Sequence, residues 1–184
     1  LEAMQEKLAA VEAHSEQMSE QLQKERSRAL TDLLTDLPNR QAWEDRLELE
    51  YNRWLRYGHP LSISVLDIDY FKRVNDSYGH KAGDRVLQLV ARALRERFRN
   101  TDFIARYGGE EFVVLLPDTS LQDAAGVLNE VREHIATLPF HFRTEPVSVT
   151  FSAGVTEFAD DEGLEEAFER ADQALYKAKD AGRN

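Results

Sequence analysis

The carboxylates Asp67 and Asp69 close an apolar run, LSISVLDID, at residues 61–69. Alternation along a strand would put both on one face, at the end where the strand gives way to a loop. Oxygen ligands of this kind suit a hard dication such as Mg²⁺. Asp69 also has a plainer reading, as the cap of a helix starting near Tyr70. A second acidic pair, Glu110 and Glu111, follows Gly108 and Gly109 in RYGGEEF (106–112), between the apolar runs FIA and FVVLLP. The glycines read as a tight hairpin turn that needs positive φ and lets backbone approach a ligand. Glutamates are poor strand formers and costly to bury alone. On a regular strand they would face opposite sides and serve different tasks. Two carboxylates ~4 Å apart repel by roughly 4 kcal/mol at an effective dielectric near 20, so a dication or a basic partner must offset them.

Between these pairs runs YFKRVNDSYGHKAGDRVL (70–87), polar and punctuated by glycines, leading into a helix. Lys72 could hold a phosphate, beside Phe71. Asn75 and Asp84 suit the edge of a purine, since a carboxylate can accept from the N1–H and N2–H₂ of guanine. Read singly, these residues are a solvated lysine, a turn asparagine and a helix-starting aspartate. Neither G-x-x-x-x-G-K-[ST] nor G-x-G-x-x-G occurs, so any nucleotide site would hold phosphate through a metal. Lys179 and Arg183 lie one helical turn apart near a helix C-terminus, where the dipole alone favours cations. The five histidines show no ligand-like pairing, and no Ser-His-Asp or Cys-His arrangement supports nucleophilic catalysis.

The elements that must position these groups are legible. Residues 1 to about 30 lack Gly and Pro, and Leu1, Met4, Leu8, Val11, Ser15, Met18, Leu22, Glu25 and Ala29 alternate spacings of three and four. That is the seam of a dimerising coiled coil, weakened at Ser15 and Glu25. Pro38 ends the linker, and a helix over about 40–57 follows, with Trp43, Leu47, Tyr51, Trp54 and Leu55 as core. Further helices are expected at about 83–99, 120–138 and 163–181, and strands at 61–69, in the RYGGEEF hairpin and over 147–158. The mixture suits an α+β domain, a mostly antiparallel sheet covered by helices. The formal net charge of −11 argues against a nucleic-acid partner. With no cysteine there is neither a disulfide nor thiolate-bound zinc. No apolar run suggests direct membrane contact. The chain opens on Leu1 and stops at Asn184, which reads as a cytoplasmic piece of a longer protein, divided into a 1–30 helix and a 31–184 domain.

Taken together, DLLTDLPNR (32–40), LDIDYFKRVNDSYGHKAGDRVL (66–87), RYGGEEF (106–112), FSAGV (151–155) and ADQALYKAKDAGRN (171–184) resemble the GGDEF-domain diguanylate cyclases, in their GGEEF form. The resemblance implies a five-stranded, mostly antiparallel, palm-like sheet. It also implies condensation of two GTP into cyclic di-GMP by two domains meeting face to face as a homodimer. It makes Asp67, the Ile68 carbonyl, Glu110 and Glu111 ligands of Mg²⁺ or Mn²⁺, two ions per site, with Glu110 helping to deprotonate the attacking hydroxyl. Lys72 would steady the transferring phosphoryl group. Asn75 and Asp84 would read guanine, Phe71, Lys72, Lys179 and Arg183 would meet phosphate, and Gly108 and Gly109 would border the substrate. Arg99 and Asp102 resemble an inhibitory RxxD motif that binds product, with a higher oligomer as one outcome. Where some members supply a second inhibitory arginine, this chain has Glu130, with Arg132 nearby. The competing expectation is a catalytically silent cyclic di-GMP receptor; a cyclase relaxed toward ATP is opposed by Asp84, which would face the acceptor N1 of adenine.

Overall fold

Strand β1 (Leu61–Ile68) is buried along its whole length, as a central strand covered on both faces must be. In the computed structural model, which describes residues 2–183, it pairs antiparallel with β3 (Glu111–Pro117) on one side and β6 (Phe151–Glu157) on the other. The outer strand β2 (Phe103–Gly108) completes the order β2-β3-β1-β6. Leu1, the first seam position, and Asn184, which closes the C-terminal motif, lie outside the described residues.

Side-chain alternation sorts the sheet's two faces. Leu66, Ile68, Phe112, Val114 and Leu116 join a core with α4 (His80–Arg97) and α5 (Leu121–Thr137). Leu61, Ile63, Val65, Val113 and Leu115 join another with Trp43 and Leu47 of α2 (Arg40–Tyr57) and with Ala167, Ala171 and Leu175 of α6 (Leu164–Asp180). Each fully buried side chain of this size contributes about 1.5–3 kcal/mol. Gly154 lets α6 lie close on β6: a Cβ there would stand 2.0 Å from the Ala171 carbonyl oxygen and 2.4 Å from the Leu175 nitrogen, both backbone.

The α+β class, with its antiparallel sheet between helices, is as expected; the details differ. Four strands form the sheet among the described residues, and the remaining pair, β4 (His141–Phe142) and β5 (Glu145–Pro146), makes a separate ribbon. The strand expected over 147–158 is regular only from Phe151. Residues 70–87 hold a short helix, α3 (Phe71–Tyr78), which starts where the plainer reading of Asp69 put a helix, and then the start of α4. Phe71, Val74 and Tyr78 give α3 an apolar stripe, and Gly79, at φ 86°, breaks it from α4 in a conformation that favours glycine. Helix α1 (Glu2–Ala29) buries no residue, and its seam side chains Met4, Leu8, Val11, Met18 and Leu22 are 52–74% exposed. No helix among the described residues is long and apolar enough to cross a membrane.

Candidate active site

Asp67 and Glu111 are direct cross-strand partners in the β1–β3 ladder, so they share a face at the sheet's end. By alternation it is the face that α6 covers, and Lys179, in the last turn of α6, donates to an Asp67 carboxylate oxygen. Burial pushes the Asp67 carboxyl above its ordinary value; Lys179 opposes the shift, and the charges of Glu110 and Asp69 add to it. The Glu111 carboxyl is also raised, by burial first and then by Asp67, Asp172 and Glu110. Negative charge is therefore concentrated here beyond what one lysine neutralises.

The glycine turn is displaced by one residue from the expectation. Gly108 pairs with Glu111, so the turn residues are Gly109 and Glu110, and a register shift between Arg106 and Gly108 accommodates them. Neither Gly108 nor Gly109 takes a positive φ, and a Cβ at Gly109 would meet open space. What their lack of a side chain offers is room rather than conformational freedom. Glu110 thus stands on the turn, its carbonyl accepting from the Ile68 N–H at 3.2 Å, and strand alternation does not separate it from Glu111. The sheet register gives Glu111, not Glu110, the position facing Asp67.

Asp69 departs from the helix-cap reading. The N-cap of α3 is Tyr70, without a side-chain cap bond, while the Asp69 carboxylate accepts from the hydroxyls of Thr150 (2.8 Å) and Ser152 (2.7 Å). It ties the end of β1 to the start of β6.

A hard dication suits the donor set of Asp67, Glu110, Glu111 and the Ile68 carbonyl, because raised carboxyls in mutual repulsion are what such an ion relieves. Among the described residues no three acidic or imidazole side chains converge into a ready-made cage. Such a set would need substrate oxygens to complete it, as Mg²⁺ sites commonly do.

On the other side of the sheet end, α3 and α4 carry the remaining candidates. Phe71 and Asn75 are partly buried and Lys72 and Asp84 are exposed. Lys72 makes no ion pair among the described residues. The Oδ1 of Asn75 is buried without a hydrogen-bond partner, a state that usually costs about 1–3 kcal/mol. Arg183 lies with its guanidinium carbon 4.8 Å from the Tyr70 ring centre, at the same end.

Arg99 and Asp102 lie at the other end of β2, away from the glycine turn. The guanidinium meets Asp102 at 3.1 Å and donates to the Thr119 hydroxyl at 2.7 Å. Asp102 is 2% exposed at its side chain and Arg99 60%, so a braced guanidinium faces outward.

One connection went unread in the sequence. Arg106, just before the glycines, pairs with Asp32 at 3.1 Å and donates to the Gly109 carbonyl at 2.9 Å. Thr35 also donates to Asp32 through N–H and hydroxyl. Burial alone would raise the Asp32 carboxyl, but these bonds and Arg106 hold it below the usual range. The turn bearing Glu110 is thereby clamped to the segment that follows α1. Opposite charges inside the stretches DLLTDLPNR and RYGGEEF were the available signal.

Comparison with known proteins follows the same lines. The family model described as "Diguanylate cyclase, GGDEF domain" matches residues 29–184. "Diguanylate cyclase DgcP" of Pseudomonas aeruginosa is 53% identical over 184 residues, covering 100% of this chain and 27% of that protein. "Response regulator PleD" of Caulobacter vibrioides is 43% identical over 160 residues, covering 85% of this chain and 35% of that protein. The chain thus spans about a quarter to a third of these relatives. The solved coiled coil and GGDEF domain of DgcB from Caulobacter crescentus, in complex with c-di-GMP, superposes with a TM-score of 0.92 at 34% identity, covering 98% of this chain and 96% of that one.

Proposed function

The chain belongs to the GGDEF-domain diguanylate cyclase family, and from that premise we propose that its domain, residues 31–184, condenses two GTP into cyclic di-GMP and two pyrophosphates. The observation carrying this is the register that sets Asp67 opposite Glu111 at the sheet's end.

In each half of the reaction, the 3′-oxygen of one GTP bonds to the α-phosphorus of the other. The bond to the β-phosphate bridging oxygen breaks, and pyrophosphate leaves with its electron pair. The hydroxyl proton passes to a carboxylate, which we assign to Glu110. A second such step closes the ring. Asp67, the Ile68 carbonyl, Glu110 and Glu111 would hold Mg²⁺ or Mn²⁺, two per site, and the ions would neutralise the triphosphate and make the hydroxyl more acidic. Lys72, unpaired and exposed, steadies charge on the transferring phosphoryl group. Lys179, which neutralises Asp67 in this structure, is at hand for phosphate, with Arg183 and Phe71 alongside. Asn75 and Asp84 read guanine, and Gly108 and Gly109 leave the triphosphate room. One domain supplies one GTP, so the active form is a homodimer held through α1. Incubation with GTP and Mg²⁺, followed by chromatography, tests this: cyclic di-GMP and pyrophosphate are expected, and no product at any protein concentration would overturn it.

Arg99 and Asp102 form the product site in this reading, with a higher oligomer as the product-bound state. The exposed guanidinium, already braced by Asp102 and Thr119, loses little freedom on meeting a phosphate or a guanine. Arg99→Ala is expected to raise the product concentration for half-inhibition roughly 10–100-fold, the loss of charged hydrogen bonds of about 1.5–3 kcal/mol. Inhibition curves measured with added cyclic di-GMP check it, and superimposable curves would remove the assignment.

A further inference from the structure

Gly83 lies inside α4, where a glycine weakens a helix relative to alanine. It has no positive φ to justify it, so its backbone would accept alanine. What forbids a side chain is contact: a Cβ at Gly83 would stand 1.9 Å from Asn75 Oδ1, 2.9 Å from Asn75 Cγ and 3.1 Å from Phe71 Cζ. These nearest atoms belong to two side chains of α3, and both were assigned above to the nucleotide. Gly154 differs, since its missing Cβ makes way for the backbone of α6.

A second observation falls at the same contact. Asn75 Oδ1, the atom nearest the missing Cβ, is the single buried side-chain oxygen or nitrogen without a partner among the described residues. A helix-weakening glycine and a carboxamide oxygen without a hydrogen-bond partner meet at one point.

We propose that Gly83 is a positioning residue for base recognition, its absent side chain forming the slot that fixes the Asn75 carboxamide. The inference rests on the proposed role of Asn75 as a guanine reader. With one amide atom lodged against α4, the rest of the group is held in one rotamer before the base arrives, and that ordering need not be provided at binding. Asp84, next in the chain, reads the same base in that proposal, so one turn of α4 sets both groups. A methyl group at position 83 forces the carboxamide to a different rotamer and breaks this arrangement.

A double-mutant cycle tests the slot, using calorimetric titration of the full chain with Mg²⁺ and guanosine α,β-methylene triphosphate, in which the bond to be broken is blocked. Gly83→Ala and Asn75→Ala should each weaken binding by roughly tenfold or more, about one lost hydrogen bond to the base. The double variant should bind no more weakly than Asn75→Ala, because the atom that clashes is gone. Its melting temperature should also recover relative to Gly83→Ala, leaving only a small adjustment of Phe71. Wild-type affinity in Gly83→Ala, or equal losses from Gly83→Ala with and without Asn75, would overturn the slot while leaving Asn75 a base reader. Wild-type affinity in Asn75→Ala would overturn the base-reading role and the slot together. If Gly83→Ala alone proves too unstable to titrate, failure of the double variant to recover its melting temperature would be the disproof.

Discussion

Glu111→Gln is expected to raise the melting temperature of the metal- and nucleotide-free chain at neutral pH while reducing turnover by about 10²–10³-fold. The two effects have one origin. Glu111 stands directly across the ladder from Asp67, and like charges so placed are destabilising by roughly 0.2–1 kcal/mol. Glutamine keeps the shape and removes one of the charges. A gain at the upper end of that range corresponds to about 2–4 °C for a chain of this size. The pH dependence follows from the direction of the shift. The folded Glu111 carboxyl titrates above its ordinary 4.5, so in the window from that value upward the native state holds protons that the unfolded state has already released. Stability of the wild type is thus lost as pH rises through the window, and Asp67, raised above 3.8, adds to the slope. The variant lacks the Glu111 part, so its advantage should open as pH rises above the ordinary Glu111 value of 4.5 and close on acidification. Turnover falls because glutamine is a weaker ligand for the proposed ions, whose positive charge would stabilise the developing negative charge; losing one such stabilising contact commonly costs about 10²–10³-fold. Melting curves across pH, paired with cyclic di-GMP assays, decide it. A variant melting below the wild type at pH 7, or one within tenfold of its activity, would refute the carboxylate pairing as the catalytic feature.

Legibility of the fold followed periodicity. Helix α2 matches its expected bounds because its capping asparagine and its terminal glycine both sit in the sequence: Asn39 accepts from the Ala42 N–H, and Gly58 takes φ 70°. A helix starting near Tyr70 could be offered, but not the extent of α3, because its eight residues carry only a few apolar side chains among charges. The candidate residues could be listed, but their relations could not. Which glutamate faces Asp67 depends on a register shift between Arg106 and Gly108, and a one-residue slip exchanges the faces of a strand. The Asp69 bonds to Thr150 and Ser152 and the clamp from Asp32 to Arg106 join residues distant in the chain, and the slot at Gly83 joins two helices across a turn; periodicity carries no trace of any of them.

Replacing Leu8 and Leu22 together by glutamate is expected to cut specific activity at nanomolar protomer by about 10²-fold, and to make it rise with protein concentration. Both side chains lie on the seam of α1, 60% and 62% exposed, and a helix that buries nothing has little to hold it unless a partner covers that face. In the proposed reaction each domain contributes one GTP, so a lone protomer has no second reactant. A coiled coil supplies the other domain at an effective concentration in the millimolar range, far above nanomolar protein. Charges facing each other across the seam abolish that advantage while leaving residues 31–184 untouched. Helix α1 also connects to the catalytic end through more than proximity. The Asn39 N–H donates to the Leu30 carbonyl and its side chain to that of Ala29. Asp32 then holds Arg106, which holds the Gly109 carbonyl beside Glu110. A continuous run of hydrogen bonds and one ion pair thereby joins the C-terminal end of α1 to the turn that carries a proposed ligand. In the wild type specific activity should be flat with dilution until the coiled coil dissociates, whereas in the variant it should rise linearly with protein concentration because the fraction of paired domains does. Sedimentation alongside the assay separates the possibilities. A variant that sediments as a monomer yet turns over GTP at the wild-type rate would rule out the shared site, and one that stays dimeric would place the interface elsewhere than on this seam.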